Sequence, residues 1–275
     1  MTREEYIKEG LDRHFEEFVN TYPNLEFFAI CLQGSQNYDL DIYTDEYKSD
    51  IDTKVIVIPS LEDVVMNRKP ISTTHVLPNN EHLDVKDIRL YFESFKKQNI
   101  NFVEILFTEF YLVNPKYEDL WEILRHFRED IAHYNRNAAL RCMAGMSMEK
   151  KKALCHPYPS IIDKIEKYGY DGKQLHHIIR MYNFITCYAL NGSYEECLHF
   201  LPQKEEMMKA KLNEYTLEEA LDMAERFDFF TKYIKDINVK EPDIINKTAE
   251  KVLNDIQYAA IKRKIKSDII EEEVE

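Results

Sequence analysis

Hydrophobic and polar positions follow two different patterns along this chain, and the change between them comes near residue 115. Before it, short apolar runs rich in aromatic and β-branched residues predict buried strands. Capping boxes at Thr2 with Glu5 and at Ser60 with Asp63 predict helices among these strands. The predicted strands cover residues 25–32, 51–59 and 74–78 and the beginning of EHLDVKDIRLYFESFKKQ, which becomes helical near Asp87.

From Tyr117 onward, apolar positions recur at helical spacing almost without interruption. Thr216 with Glu219 forms a further capping box, and Gly192 stands where a helix C-terminal cap is expected. The predicted helices cover residues 117–134, 137–153, 172–190, 202–213, 217–237 and 242–266. The two patterns predict an α+β protein in which an N-terminal domain with a small mixed sheet, residues 1–115, precedes an all-helical domain, residues 116–275.

Two aspartates at the start of the second predicted strand are the main candidates for chemistry. Side chains alternate faces along a strand, so Asp50 and Asp52 point the same way while Ile51 points into the core. Carboxylates about 7 Å apart repel each other unless they face open water or a cation lies between them. Mg²⁺ takes carboxylate oxygens together with substrate phosphates, and two such ions can hold the attacking and leaving oxygens of a phosphoryl displacement. Gly34 and Ser35, after the first strand, offer backbone N–H groups and a hydroxyl to a phosphate chain.

Composition and charge narrow the classes of function. The chain has 50 acidic and 36 basic residues, a formal net charge of −14, and therefore no global attraction for polyanions such as nucleic acids. Its five cysteines lack metal-ligand spacing, and we expect reduced thiols with no disulfide partner. The charged N-terminus MTREEYIKEG differs from a signal peptide, and no apolar run approaches the length of a membrane span. We expect a cytoplasmic protein with no membrane partner.

The order of these features resembles a known family. The stretch GS…SDIDTKVIV is similar to the signature of the DNA polymerase beta-like nucleotidyltransferase superfamily, a small-residue turn followed by Asp-hydrophobic-Asp on the next strand. Three longer stretches, which together cover much of residues 30–190, resemble the nucleotidyltransferases predicted in bacteria and their phages. They are GSQNYDLDIYTDEYKSDIDTKVIVIPSLEDV, DVKDIRLYFESFKKQNINFVEILFTE and YGYDGKQLHHIIRMYNF. Fourteen residues separate Ser35 from Asp50, slightly more than the superfamily usually shows, so we expect a longer loop after the turn.

The resemblance implies Mg²⁺-dependent transfer of a nucleoside monophosphate from a nucleoside triphosphate to an acceptor hydroxyl, with release of pyrophosphate. In this interpretation Gly34 and Ser35 bind the triphosphate, and Asp50 and Asp52 bind the metal ions. ATP is among the expected ligands, while the preferred base stays open. The acceptor is a small molecule, a protein or an RNA, and the acidic charge balance slightly favours the first two.

A third carboxylate, which helps to activate the acceptor hydroxyl in this family, is expected on a later strand. Alternation along HLDVKD turns Asp84 away from the core face, so Asp84 is the predicted third catalytic and metal-binding residue. Asp87 is the competitor, although an aspartate just before IRLYFESF also makes a good helix N-cap. Lys54 points to the same face of the predicted strand as Asp50 and Asp52, and it either contacts a phosphate or pairs with an aspartate.

In the helical part, DGKQLHHIIRMYNF places Lys173, His177 and Arg180 on one helix face. This face either grips the triphosphate, with arginine as a planar fork, or is a solvated face with a histidine packed against neighbouring helices. A different hypothesis depends on REDIAH, in which Arg128 and His133 match the short R-x-x-x-x-H pattern of metal-independent HEPN ribonucleases. A third hypothesis is a non-catalytic nucleotide-binding or antitoxin-like module.

Overall fold

The structure, a computed structural model, describes the backbone of residues 1–274 and the side chains of residues 1–270. The predicted α+β class is confirmed, with a five-stranded mixed sheet and a helical C-terminal region. The chain divides into two compact units, Met1–Tyr134 with Ile245–Glu275, and Asn135–Ile244. The boundary expected between residues 115 and 116 therefore lies inside the first unit, because the last helix of the chain packs against helices that precede residue 134.

The sheet of the first unit has the strand order β3-β4-β2-β1-β5. Strands β2 and β4 are parallel, and all other neighbouring pairs are antiparallel. Four strands match the predicted runs, whereas β5 has three residues and too short a pattern to be predicted. The strands are β1 (Glu26–Gln33), β2 (Asp52–Ile58), β3 (Ser72–Val76), β4 (His82–Asp87) and β5 (Tyr111–Val113).

Helices of the first unit pack on this sheet and on one another. The capping boxes predicted before residues 3 and 61 are present. The first helix places Ile7, Leu11 and Phe18 in the same core as the apolar side chains of β1, β2 and β4. In chain order, the helices of this unit are α1 (Arg3–Thr21), α2 (Leu61–Val65), α3 (Ile88–Lys96), α4 (Ile100–Val103), α5 (Glu118–His126), α6 (Arg128–Ala132) and α13 (Lys247–Val274).

The second unit is helical, and one long helix, α9 (Gly172–Ala189), packs against four others. The capping box of Thr216 and Glu219 is present. At the end of α9, Asn191 rather than Gly192 takes the left-handed conformation, with φ 65°. The remaining helices are α7 (Arg136–Ala153), α8 (Ile162–Tyr168), α10 (Tyr194–His199), α11 (Lys204–Lys211) and α12 (Leu217–Asn238), of which the short α8 and α10 were not predicted.

Two further features concern membranes and thiols. Within the described part of the chain, no helix combines the length and the apolar character that crossing a bilayer requires. Each of the five cysteines is a free thiol. Burial raises the pKa of the Cys31 thiol far above its ordinary range, so this residue is an inert part of the core.

Candidate functional site

The Gly34–Ser35 turn follows directly on the end of β1. Gly34 has φ 109° and ψ −163°, a conformation that residues with a side chain rarely adopt, so this position requires glycine. Residues Ser35–Tyr38 form one turn of 3₁₀ helix, in which the N–H of Asn37 donates to the carbonyl of Gly34. A single turn is too short for a helix macrodipole. A phosphate bound here would therefore depend on individual N–H groups and on the Ser35 hydroxyl.

The acidic pair lies at the same end of the sheet as this turn. Asp52 is the first residue of β2 and lies opposite Gln33, the last residue of β1. Asp50 is exposed, and its carbonyl accepts a hydrogen bond from Gln36 Nε2 at 2.6 Å. Ile51 between the two aspartates is fully buried in the core, as the alternation of faces predicts. The turn and the two aspartates are therefore neighbours at one end of the strands β1 and β2.

The carboxylate of Asp52 is held at one of its two oxygens. Oδ1 accepts a hydrogen bond from the backbone N–H of His82 at 2.8 Å and lies 3.2 Å from Nδ1 of the same residue. The side chain is 33% exposed, and Oδ2 makes no hydrogen bond to any residue whose side chain is described. One oxygen therefore orients the group while the other is available to a ligand.

Lys54 pairs with Asp84, which is one of the two contacts predicted for it; a contact with a phosphate stays a prediction. The two residues are in register on the parallel strands β2 and β4, and Lys54 Nζ donates to Asp84 Oδ2 at 2.7 Å. Lys54 Nζ also lies 4.2 Å from the ring centroid of Phe102, and its side chain is only 4% exposed. Asp84 faces away from the core as predicted, but a buried ammonium neutralises it.

Asp87 is the N-cap of α3, the alternative that its sequence position indicated. Its Oδ1 accepts a hydrogen bond from the backbone N–H of Arg89 at 2.8 Å. Both carboxylate oxygens also bind the Arg89 guanidinium, at 2.9 Å and 2.6 Å, and the residue is buried. These bonds commit Asp87 to the helix start, so Asp84 remains the candidate for a third carboxylate.

The candidate magnesium ligands do not form a closed set of three carboxylates. In residues 1–270, no group of three or more His, Cys, Asp or Glu side chains is placed to hold a metal ion. Asp84 is thus not gathered with Asp50 and Asp52 into a preformed cage. Mg²⁺ is commonly bound by one or two carboxylates that share the ion with substrate phosphates. The exposed Asp50 and the partly exposed Asp52, beside a turn suited to phosphate, fit that kind of site.

A buried polar cluster lies behind the acidic pair and was not predicted from the sequence. Glu81, which precedes β4, is 3% exposed, and its Oε1 accepts a hydrogen bond from the N–H of Ile51 at 3.1 Å. Its Oε2 accepts a bond from Arg13 at 2.5 Å and lies 3.1 Å from His14 Nε2. His14 Nδ1 lies 2.7 Å from the hydroxyl of Thr53. We call Arg13, His14, Thr53 and Glu81 the Glu81 cluster.

Hydrogen bonding keeps Glu81 ionised despite its burial. Burial raises the pKa of Glu81, but hydrogen bonds with His14, Arg13, Asn79 and the Ile51 amide outweigh this effect and lower the pKa to about 2. One sequence signal points to the cluster. His14 occupies a position in the apolar series of α1, where a polar side chain needs a buried partner.

The three basic residues of α9 do not form a uniformly accessible face. Lys173 is exposed, His177 is half-buried, and Arg180 is 3% exposed. Burial lowers the pKa of His177 well below its ordinary value, so its imidazole is neutral at neutral pH. Of the three, Lys173 alone offers an exposed positive charge, and the expected grip on a triphosphate by this face remains a prediction.

The residues of the ribonuclease-like pattern make local contacts. Arg128 begins the five-residue helix α6, and its Nη1 donates to the carbonyl of Arg125 at 3.3 Å. His133 directly follows this helix, and its Nδ1 lies 2.9 Å from the carbonyl oxygen of Glu129. Arg128 also places its guanidinium 5.5 Å from the ring centroid of Phe107, and none of these contacts supports an RNA-cleaving site.

Comparisons with known proteins give a distant structural likeness. No protein-family model matches the chain. No curated protein sequence matches it either. The structure is similar to the crystal structure of a nucleotidyltransferase-like protein from Exiguobacterium sibiricum 255-15, with 14% sequence identity and a TM-score of 0.31. The match covers 84% of this chain and 74% of that chain. At this level of similarity, functional assignment depends on the residues of the site itself.

Proposed function

We propose that this chain is a nucleotidyltransferase, which transfers a nucleoside monophosphate from a nucleoside triphosphate to an acceptor hydroxyl and releases pyrophosphate. One observation carries the proposal: the Gly34–Ser35 turn and the Asp50–Asp52 pair lie at the same end of the sheet. The pairing of Gln33 with Asp52 and the 2.6 Å bond from Gln36 to the Asp50 carbonyl hold them there. An anion-binding turn beside two carboxylates is the arrangement that a metal-bound triphosphate requires.

Each part of the site has a distinct role in this reaction. Gly34 lets the backbone approach the phosphate chain closely, and the Ser35 hydroxyl donates a hydrogen bond to a phosphate oxygen. Asp50 and Asp52 would hold Mg²⁺ ions. When bound, such ions polarise the phosphate and neutralise the charge that develops on it during transfer. His82 keeps Asp52 oriented by holding one of its oxygens.

Asp84 and Lys54 form the second half of the proposed site. The strand β4 presents Asp84 on the face of the sheet that carries Lys54 and Asp52. In the proposal, the acceptor hydroxyl donates a hydrogen bond to the Asp84 carboxylate beside Lys54, and Asp84 accepts its proton as the oxygen attacks the α-phosphate. Lys54 keeps the carboxylate charge compensated before the acceptor arrives.

Transfer of a labelled nucleotide tests the proposal directly. The purified chain is incubated with Mg²⁺, a cell extract and each of the four nucleoside triphosphates in turn, labelled at the α-phosphate. We expect the wild-type chain to transfer the label to an acceptor, and the size and chemistry of the labelled product identify the acceptor class. The variant Asp52→Asn is expected to lose the transfer, because it removes a charge that the metal-bound triphosphate needs.

A matched control separates this effect from a general change of charge. Asp45→Asn removes one carboxylate from an exposed position in the loop that leads to Asp50, and it should transfer label as the wild-type chain does. Equal labelling by wild type and Asp52→Asn would reject the assigned site. Metal-free RNA cleavage that depends on His133 would instead favour the ribonuclease hypothesis.

A further inference from the structure

The backbone N–H of Ile51 has an unusual position at the centre of the acidic pair. Ile51 is fully buried, and it comes just before the first residue of β2. The hydrogen-bonded ladder between β1 and β2 ends at the pair of Gln33 and Asp52. Its N–H therefore lies outside the sheet ladder. A buried N–H without a partner costs about 1–3 kcal/mol, so another group must accept this hydrogen bond. That group is the carboxylate of Glu81, at 3.1 Å.

Helix α1 fixes both ends of this contact. A side chain at Gly10 would come within 2.9 Å of Ile51 Cγ1, so the glycine allows the helix to touch Ile51 directly. One turn later on the same helix, Arg13 and His14 hold the second oxygen of Glu81. The Ile51 side chain and the acceptor of its N–H are thus anchored to a single rigid element.

Two further hydrogen bonds hold the aspartates on either side of Ile51. His82, the residue after Glu81, donates its backbone N–H to the carboxylate of Asp52. On the other side, the side chain of Gln36 donates to the carbonyl of Asp50. The backbone that carries the two carboxylates is therefore fixed before, at and after Ile51.

We infer that Glu81 is a positioning residue, which sets the separation and direction of Asp50 and Asp52 through the Ile51 amide. The inference deepens the proposed function, because it concerns the metal-binding pair named there. Two carboxylates that repel each other would drift apart on a mobile strand end, and an anchored backbone keeps them ready for one cation. The bonds of Glu81 also stabilise the fold, so a test of positioning needs a readout that a change in stability alone would not alter.

The test measures the affinity of the chain for Mn²⁺, a spectroscopic substitute for Mg²⁺, by electron paramagnetic resonance of the free ion. Residues that orient metal ligands typically change metal affinity by about 10–100-fold when they are replaced. Glu81→Gln should therefore raise the Kd for Mn²⁺ by about tenfold or more. Arg13→Met, at a partly exposed position, removes one bond to Glu81 and should raise the Kd by a smaller factor while the chain stays folded.

Glu26→Gln is the matched control. Glu26 is a partly buried, ion-paired carboxylate of the same sheet, but it lies opposite Ile58 at the other end of β1. Its replacement should lower the melting temperature without changing the Kd for Mn²⁺. A purely structural role for Glu81 would give the same result in Glu81→Gln as in Glu26→Gln.

The possible outcomes separate the inference from the proposed function. Wild-type Kd values in both Glu81→Gln and Arg13→Met would overturn the inference and leave the proposed function standing. If Glu81→Gln does not fold, the Kd of Arg13→Met decides. A wild-type chain that binds no Mn²⁺ even with a non-cleavable triphosphate analogue present, or binds it as well when Asp52 is replaced by Asn, would overturn the proposed function and the inference together.

Discussion

The Glu81 cluster makes a quantitative prediction about acid stability. Lowering the pKa of Glu81 from an ordinary value of 4.5 to about 2 corresponds, at about 1.4 kcal/mol per pKa unit, to about 3 kcal/mol of folding free energy. Because the folded-state pKa is the lower one, this contribution is fully present above pH 4.5. It is lost as the pH falls towards 2, where the carboxylate becomes protonated in the folded chain as well.

The perturbation is Glu81→Gln, which keeps the size of the side chain and removes its titration. We expect the wild-type chain to lose about 3 kcal/mol more unfolding free energy than the variant between pH 6 and pH 2. Urea unfolding can be followed through Trp121, the single tryptophan of the chain, which is fully buried in α5 and so belongs to the same unit as Glu81. Other carboxylates titrate equally in both proteins and cancel in the comparison.

The control is Glu9→Gln, which removes the same charge from an exposed position of α1. Its unfolding free energy should follow that of the wild-type chain closely at every pH, since exposed charges contribute little. If the curves of wild type and Glu81→Gln run parallel from pH 6 to pH 2, the buried carboxylate is not held by the bonds assigned to it, and the reasoning fails.

Two further predictions concern single side chains. Gly34→Ala should destabilise the chain by about 1–2 kcal/mol, because φ is 109° at this position. Gly145→Ala should stabilise the chain by up to about 1 kcal/mol, because the residue lies within α7 and no atom is near its new methyl group. Thermal unfolding measures both, and equal effects would contradict the strained turn. Lys54→Met leaves Asp84 without its counterion and should cost about 1–3 kcal/mol in urea unfolding. The second change Asp84→Asn should recover most of this loss, and additive losses would argue against the ion pair.

Local patterns predicted most of the fold. The strands at residues 26–33 and 52–58 were predictable because each is an apolar, β-branched run, followed by a glycine turn in the first case and a proline in the second. Capping boxes correctly predicted the starts of three helices. The predicted helix 117–134 is broken at Phe127, and the strand β5 was missed. Both depend on packing against distant parts of the chain, and a three-residue strand has no periodicity to detect.

The candidate site was predicted in part. The turn and the acidic pair could be found because each is a short pattern within one stretch of sequence. The pairing of Lys54 with Asp84 depends on the register of two parallel strands thirty positions apart, which strand patterns alone leave open. No local sequence motif marks Glu81, because its partners lie far away in the chain, in α1 and at Ile51.

The most direct test of the central claim is the binding of a metal–nucleotide complex at the acidic pair. Isothermal titration calorimetry would use triphosphate analogues in which the bond between the α- and β-phosphates cannot be cleaved, with and without Mg²⁺. We predict that the wild-type chain and Asp45→Asn bind at least one analogue only with Mg²⁺, and that replacing both Asp50 and Asp52 by Asn abolishes this binding. An affinity that does not depend on Mg²⁺, or that is the same in the double variant, would contradict metal-dependent nucleotide binding at Asp50 and Asp52.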